Sequence, residues 1–476
     1  MLCSRNADEL RNALWGTFMK LQRKLSRPET LALSMAVIAM MVGASLNTPF
    51  VAKSAGTSVP LVFIISTIGV LCIAHSFIRL SRIVGHAGSV YGLIRYAQGP
   101  TAGFFAGWAL LMTYGIFVSA ALFGFGYFAV LLTESAGSIP WWVFSLASGA
   151  IVWIFVYRDI KISARVMLAI EISAILLLIL VAVIILRSQP ASMVPFKVGD
   201  AGWTGISQAL VFGLLTFIGF EAAASLGEES NNPSSDIPFA ILSTVLLAGA
   251  FFTFISYAQT IGYGLDKVAD FQGSSSPTHD LSMRFGGPVL TALVTTGALI
   301  STFAMAIGSG SAAARLLLTF GRDGYLPQSL ASVNVFGSPK AATHLIMLLN
   351  AVLIIGLAAA GSYGPFDLYG FTGVIATLTV LIAYAMMGFG ELQHFAASDI
   401  ANGRFYRIVP PVIGILLSAY ALLANVYPVP DPPFNYFPYV VFAYMALGGV
   451  IWLASGRQER GQINDYVVST EGTQGD

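Results

Sequence analysis

Charge is scarce in this chain, and sulfur chemistry is close to absent. Of its 476 residues, 10% are Asp, Glu, Lys or Arg, where soluble domains carry about 25%. That shortage excludes an ordinary water-facing surface for so long a chain. Only Cys3 and Cys72 occur, one in a basic amino-terminal segment and one inside an apolar run, so no structural disulfide is expected. The five histidines and the two cysteines show no metal-ligand spacing. Neither a phosphate-binding loop nor a dinucleotide fingerprint is present, so no cofactor is expected. A formal net charge of +1 gives no field for nucleic acid. No convergent nucleophile and base are visible, which argues against an enzyme.

What fills the chain is apolar sequence, 56% of residues, with a mean hydropathy of +0.77. Runs long enough to cross a bilayer, about 20 residues, lie near 31-53, 59-80, 101-132, 140-158, 163-187, 204-229, 236-264, 289-320, 341-361, 366-390, 408-427 and 436-455. The pattern predicts an all-α polytopic membrane protein with twelve transmembrane helices. It comprises a tail at 1-30, a twelve-helix domain at 31-455 and a second tail at 456-476. Six basic residues and no apolar core in the first 30 positions predict no cleavable signal peptide and a cytoplasmic amino terminus. With twelve spans both termini are cytoplasmic. Only Lys53, Arg187, Lys197, Lys267 and Arg284 of the 24 Lys and Arg then fall outside, as the positive-inside rule requires.

The first span holds "MVGASLNTPFVAKSAG", where Gly43, Asn47 and Pro49 interrupt the helical pattern. Pro49 lacks a backbone donor, and Asn47 competes with the helix ladder. The sixth span, "TFIGFEAAASLGEESNNPSSDIP", is interrupted likewise at Gly219. Interruptions five spans apart predict an inverted-repeat carrier, with repeats near 31-187 and 204-390, peripheral helices near 408-455, and a site at the breaks.

Three stretches carry a family likeness: "HAGSVYGLIRYAQGPTAGFFAGW", "FIGFEAAASLGEESNNPSSDIPFAI" and "ARLLLTFGRDGYLPQSLASVN". In these the chain resembles the amino acid-polyamine-organocation superfamily, especially its bacterial amino acid permeases. The resemblance implies a five-plus-five inverted fold of the leucine transporter type, with helices 1 and 6 broken. It also implies that a substrate carboxylate sits on the amides of Ala44, Ser45 and Leu46, beside Gly43, and an ammonium group on the carbonyls from Leu215 to Ile218, beside Gly219 and Phe220. Where many members read Gly-x-Gly-Ile-Phe, this chain reads Gly43-Ala44-Ser45-Leu46-Asn47, which leaves simple amines open as substrates.

Two acids stand inside apolar spans. A charged acid at the centre of a membrane helix costs at least about 2.5–3.5 kcal/mol, so each must be protonated, partnered or functional. Glu221 opens the second half of span 6. Glu171 lies eight residues from Ser163, about 12 Å deep at 1.5 Å per residue. Both are candidate coupling residues, with a structural hydrogen-bonding role as the rival reading. Ser309 and Ser311 in "AIGSGSAAAR" are candidate sodium ligands by resemblance, or simply small residues at a helix contact. Trp108 and Tyr114 are packing or cavity residues, and His75 reads as packing. Arg322 and Asp323 are expected to brace an inner gate, while Glu228 and Glu229 sit in a turn.

The sequence thus predicts a secondary transporter of amino acids or related small amines in the plasma membrane. Proton-coupled import is the first reading and sodium the second candidate ion. An exchanger, a polyamine or organic amine permease, and a non-transporting sensor are the alternatives. The preferred side chain and the oligomeric state are not encoded legibly.

Overall fold

A computed structural model describes residues 25-83, 90-133, 139-158, 160-226, 230-427, 429-430 and 432-455. Among these the architecture is all-helical. Eleven stretches are long and apolar enough to cross a membrane. The sequence count is larger by one because Met40–Ser81 registers as a single stretch of 42 residues. That stretch contains a turn at Gly56–Ser58, with Gly56 at φ 60°.

The long helices are numbered in chain order. Helix 1 is composite: Arg27–Ile38, Met40–Val42, a wide turn at Gly43–Asn47, and Thr48–Ala55. Helices 2 to 5 are Val59–Ser81, Pro100–Thr133, Trp141–Arg158 and Ile160–Ser188. Helix 6 is Gly202–Leu215 followed by a tighter segment, Phe220–Leu226. Helices 7 and 8 are Pro233–Tyr263 and Pro277–Arg322, the latter kinked at Gly287, where φ is 73° just before Pro288. Helices 9 to 12 are Lys340–Ala360, Pro365–Ala401, Val409–Ala424 and Phe437–Ala454.

Burial sorts these helices into a centre and a rim. In the apolar windows of helices 6 and 10, 78% of residues are buried, against 22% for helix 11 and 17% for helix 12. A helix apolar on every side can sit in either place, because lipid is as apolar as a protein core. Small residues decide which helices approach closely. Helix 3 lies against helices 8 and 10, helix 2 against helix 7, and helix 5 against helix 8 and the start of helix 1. A β-carbon on Gly124 would stand 2.9 Å from the Thr302 methyl, and one on Gly249 2.3 Å from that of Thr67.

One such approach, at the interruption of helix 6, also needs a left-handed backbone. Gly219 has φ 115°, and a β-carbon there would lie 2.5 Å from Val37 Cγ1 and 2.9 Å from the Ile38 nitrogen. Only glycine accepts both the angle and the contact. Gly219→Ala is therefore expected to lower stability by about 1–3 kcal/mol, read as a lower detergent-solubilised melting temperature. Gly115→Ala, where nothing lies within 4 Å of the added carbon, is the control and is expected to melt like the parent.

Candidate functional site: two interrupted helices in contact

Helix 1 breaks at Ala39, the one non-glycine residue among those described with positive φ, at 48°. The break is earlier than the sequence predicts. The chain past it stays helical: Gly43 N–H reaches the Ala39 carbonyl at 3.0 Å, and Gly43–Asn47 forms one widened turn. Ala44, Ser45 and Leu46 lie inside that widened turn, five to seven residues past Ala39. The physical reason is Pro49. Its missing N–H is absorbed by widening the preceding turn, so the helix need not open there. Gly43 is a packing glycine; a β-carbon on it would meet Thr216 Cγ2 at 2.7 Å and Phe252 at 2.9 Å.

The first amide beyond the break has a partner from another helix. Met40 N–H donates to Glu171 Oε1 of helix 5 at 2.6 Å, and Ser301 Oγ of helix 8 donates to Glu171 Oε2 at 2.9 Å. Glu171 is fully buried. It caps the second half of helix 1 as an N-cap carboxylate does, but from across the bundle.

Helix 6 loses its α pattern over Thr216–Gly219. Phe217 N–H bonds to Leu214, Ile218 to Leu215 at 3.1 Å, Phe220 to Phe217 and Ala222 to Gly219. These are three-residue steps, which tighten the chain and leave fewer carbonyls satisfied by the α ladder. Glu221 sits at this step, fully buried. Its carboxylate accepts from Tyr114 of helix 3 at 2.9 Å, Tyr384 of helix 10 at 2.7 Å and the Gly219 N–H at 3.1 Å. The Phe220 ring lies edge-on to Phe77 at 5.4 Å, and its carbonyl accepts Ser34 Oγ at 2.8 Å. Ser34 Oγ also accepts the Ala223 N–H at 3.1 Å. The two interruptions therefore touch through Gly219 and Val37 and are tied by Ser34.

On the far side of the helix 1 break, the polar contacts continue toward the end of the bundle that the charge pattern assigns to the outside. Asn47 donates to Thr216 Oγ1 at 3.3 Å and accepts from Tyr369 at 2.9 Å. Ser45 Oγ and Thr278 Oγ1 are 2.7 Å apart. Gln259 Nε2 donates to the Ala44 carbonyl at 2.8 Å, while its buried Oε1 has no hydrogen-bond partner among the described residues. A short helix, Val268–Gly273, covers this end, with Gln272 donating to the Ala52 carbonyl at 3.0 Å.

Of the remaining predicted residues, Ser309 is buried with no hydrogen-bond partner for its Oγ among the described residues. It follows Gly308, whose added β-carbon would meet Val37 Cγ2 at 2.6 Å. Ser311 is buried on the same helix. It is Ser301, not Ser309 or Ser311, that the fold brings to Glu171. Glu228 and Glu229 lie outside the described residues. Asp323 joins Tyr91 and Arg95, the arginine at 2.5 Å. Burial raises the Asp323 carboxyl above its ordinary value, while the Tyr91 hydrogen bond and the Arg95 charge pull it down. His75 is no simple packing residue: it meets Glu391 at 3.0 Å, and Arg79 bridges Glu391 at 2.9 Å and Asp399 at 2.7 Å.

Interrupted helices in contact at the centre of an apolar bundle, with backbone groups and buried acids at the breaks, are the marks of a membrane carrier. The family follows from the sequence itself. Residues 28–451 match the family model described as "Amino acid permease", and the chain belongs to that family of the amino acid-polyamine-organocation superfamily. It is 25% identical to the branched-chain amino acid permease BcaP of Lactococcus lactis subsp. cremoris over 81% of this chain and 86% of that protein. It is 27% identical to the low-affinity putrescine importer PlaP of Escherichia coli K12 over 75% and 79% of the two chains. Identity to the methylthioribose transporter of Bacillus subtilis is 25% over 85% of each. The chain is a transporter of this superfamily, not an enzyme.

The donors on Glu221 supply a stability test. Removing one donor from a buried carboxylate costs about 1–3 kcal/mol, so Tyr384→Phe is expected to lower the melting temperature. Tyr114→Phe adds a second loss that is non-additive with the first, because both hydroxyls serve one carboxylate.

Proposed function

We propose that the chain is a secondary active transporter of amino acids or related small amines, working by alternating access in the plasma membrane and importing its substrate with protons. The observation that carries this reading is the pair of buried acids at the two touching breaks. Neither Glu171 nor Glu221 has a Lys, Arg or His partner among the described residues. A carboxylate buried without a cation is costly to keep ionised, so a proton or a cationic group is the natural counterpart of each. Relatives that carry branched-chain amino acids and putrescine support a substrate with an amine. On this reading the substrate meets helix 1 next to Ala39 and helix 6 along Leu215 to Phe220. Both termini are cytoplasmic, and the two halves near 31-187 and 204-390 are the inverted repeats.

Sodium is the second candidate ion, favoured by the open hydroxyl oxygen of Ser309. Ser309 and Ser311 are two residues apart and do not share a helix face, so a cation at Ser309 would draw its other oxygens from neighbouring helices. Exchange of substrate against product uses the same site and differs only in whether the empty carrier reorients.

Uptake of a labelled panel of amino acids and amines into proteoliposomes, with and without an inward proton gradient in sodium-free buffer, tests this. The expected result is gradient-stimulated accumulation of one amine-bearing class. Glu171→Gln and Glu221→Gln, which keep the shape of the side chain and cannot bind a proton, should abolish gradient stimulation while sparing part of the exchange activity. Full gradient-driven uptake by both variants would refute the coupling role. Ligand binding with no flux in either direction would identify a sensor.

A further inference from the structure

One sizeable cavity lies away from the breaks. It is a crevice of about 740 Å³ on the flank of the bundle, between helices 3, 8, 9, 10 and 12. Trp108, Gly115, Leu349, Leu353, Ile375 and Tyr444 form much of its wall. Its polar side chains satisfy one another. Trp108 Nε1 donates to the Tyr444 carbonyl and Tyr444 OH to the Trp108 carbonyl, each at 2.9 Å. Ser119 donates to Asn350, whose amide nitrogen bonds the Ile346 carbonyl at 2.8 Å. No polar ligand is called for, so the occupant is apolar.

The crevice opens where the bundle is most lipid-like. Helices 9 and 12 flank it and expose Leu348, Val352 and Phe442, the last to 75%. From Trp108 to Ser119 it runs eleven residues of helix 3, about 16 Å at 1.5 Å per residue. Only 28% of the apolar window of helix 9 and 17% of that of helix 12 is buried, so bilayer hydrocarbon is what lies against the mouth of the crevice. A single flexible hydrocarbon chain is thin enough to enter.

We propose that this crevice is a binding site for one acyl chain of a bilayer phospholipid, and that the chain braces the Asp323 node. The connection runs through stacked rings. Trp108 stacks on Tyr444 at 4.8 Å and on Phe104 at 5.8 Å, and Phe104 meets Tyr325 at 4.7 Å. Tyr325 in turn stands edge-on to Tyr91, which holds Asp323 with Arg95. The segment carrying Leu326 and Leu330, immediately after that node, closes one end of the crevice. An acyl chain against Trp108 and Leu330 therefore supports the same rings that position Tyr91.

The full chain is reconstituted in nanodiscs of phosphatidylcholine brominated at mid-chain, and in the unbrominated lipid, and tryptophan emission is recorded. The difference between the parent and Trp108→Phe isolates Trp108 from the other tryptophans. Expected is loss of the Trp108 component in brominated lipid, and its recovery in Gly115→Phe, whose ring fills the crevice; no atom lies within 4 Å of the added β-carbon. An unquenched Trp108 component in the parent overturns the proposal, as does quenching that Gly115→Phe leaves unchanged. Protection of Trp108 only in nanodiscs holding two copies would assign the crevice to a second copy. The readout needs no transport, so it stands or falls separately from the proposed function.

Discussion

The structure depends on one constraint: a membrane helix can be interrupted only where the freed backbone groups find partners inside the protein. At helix 1 the partner is the Glu171 carboxylate on Met40 N–H. At helix 6 it is Glu221 on Gly219 N–H and Ser34 on Phe220 and Ala223. Each unsatisfied group would cost several kcal/mol in an apolar interior. Because helices 1, 5 and 8 meet at the first cap and helices 1, 3, 6 and 10 at the second, neither break can form without the bundle around it. Gly219 then lets the breaks meet, since any side chain there would strike Val37.

Two kinds of buried charge follow from this arrangement. Glu391 and Asp399 are buried against Arg79, and Asp323 against Arg95, at the ends of helices 2, 8 and 10. These are paired charges, stable because both members are present and costly only when one is removed. Glu171 and Glu221 are different. Their partners are hydroxyls and amides, which stabilise a carboxylate but carry no charge to balance it. Among the described residues neither acid at the breaks has a Lys, Arg or His partner, and this separates them from the ion pairs that hold helices together.

Much of this was legible in the sequence because it is written locally. Apolar length marks helices, and Gly219 before Glu221 marks a break that no apolar helix needs. The helix 1 break was misplaced because Ala39 carries no signal of its own. A left-handed alanine costs about 1–2 kcal/mol, and the next residue, Met40, is held by Glu171, 131 positions further along the chain. Gly43 and Pro49 look like a break but serve close packing against Thr216 and a widened turn. Ser301, Tyr114, Tyr384 and Ser34 could not be selected from among many similar residues, since their roles arise from contacts between distant helices. His75 read as packing for the same reason, its acid lying 316 positions along the chain.

Helix 10 joins the two classes of charge. Tyr384 and Glu391 are seven residues apart, hence on one face and about 10.5 Å along the axis. Through Tyr384 the helix holds the break acid Glu221; through Glu391 it holds Arg79 and His75 of helix 2. Helix 3 holds the same Glu221 through Tyr114. Any rearrangement at the helix 6 break must therefore move helices 3 and 10 with it or surrender one of the two phenols. Surrendering a phenol leaves a buried carboxylate short of a donor, and that deficit is removed when the acid takes up a proton. On the proposed reading, protonation of Glu221 is what makes release of Tyr384 cheap. The change in charge at the break thereby loosens the helix that also grips helix 2 through its ion pairs.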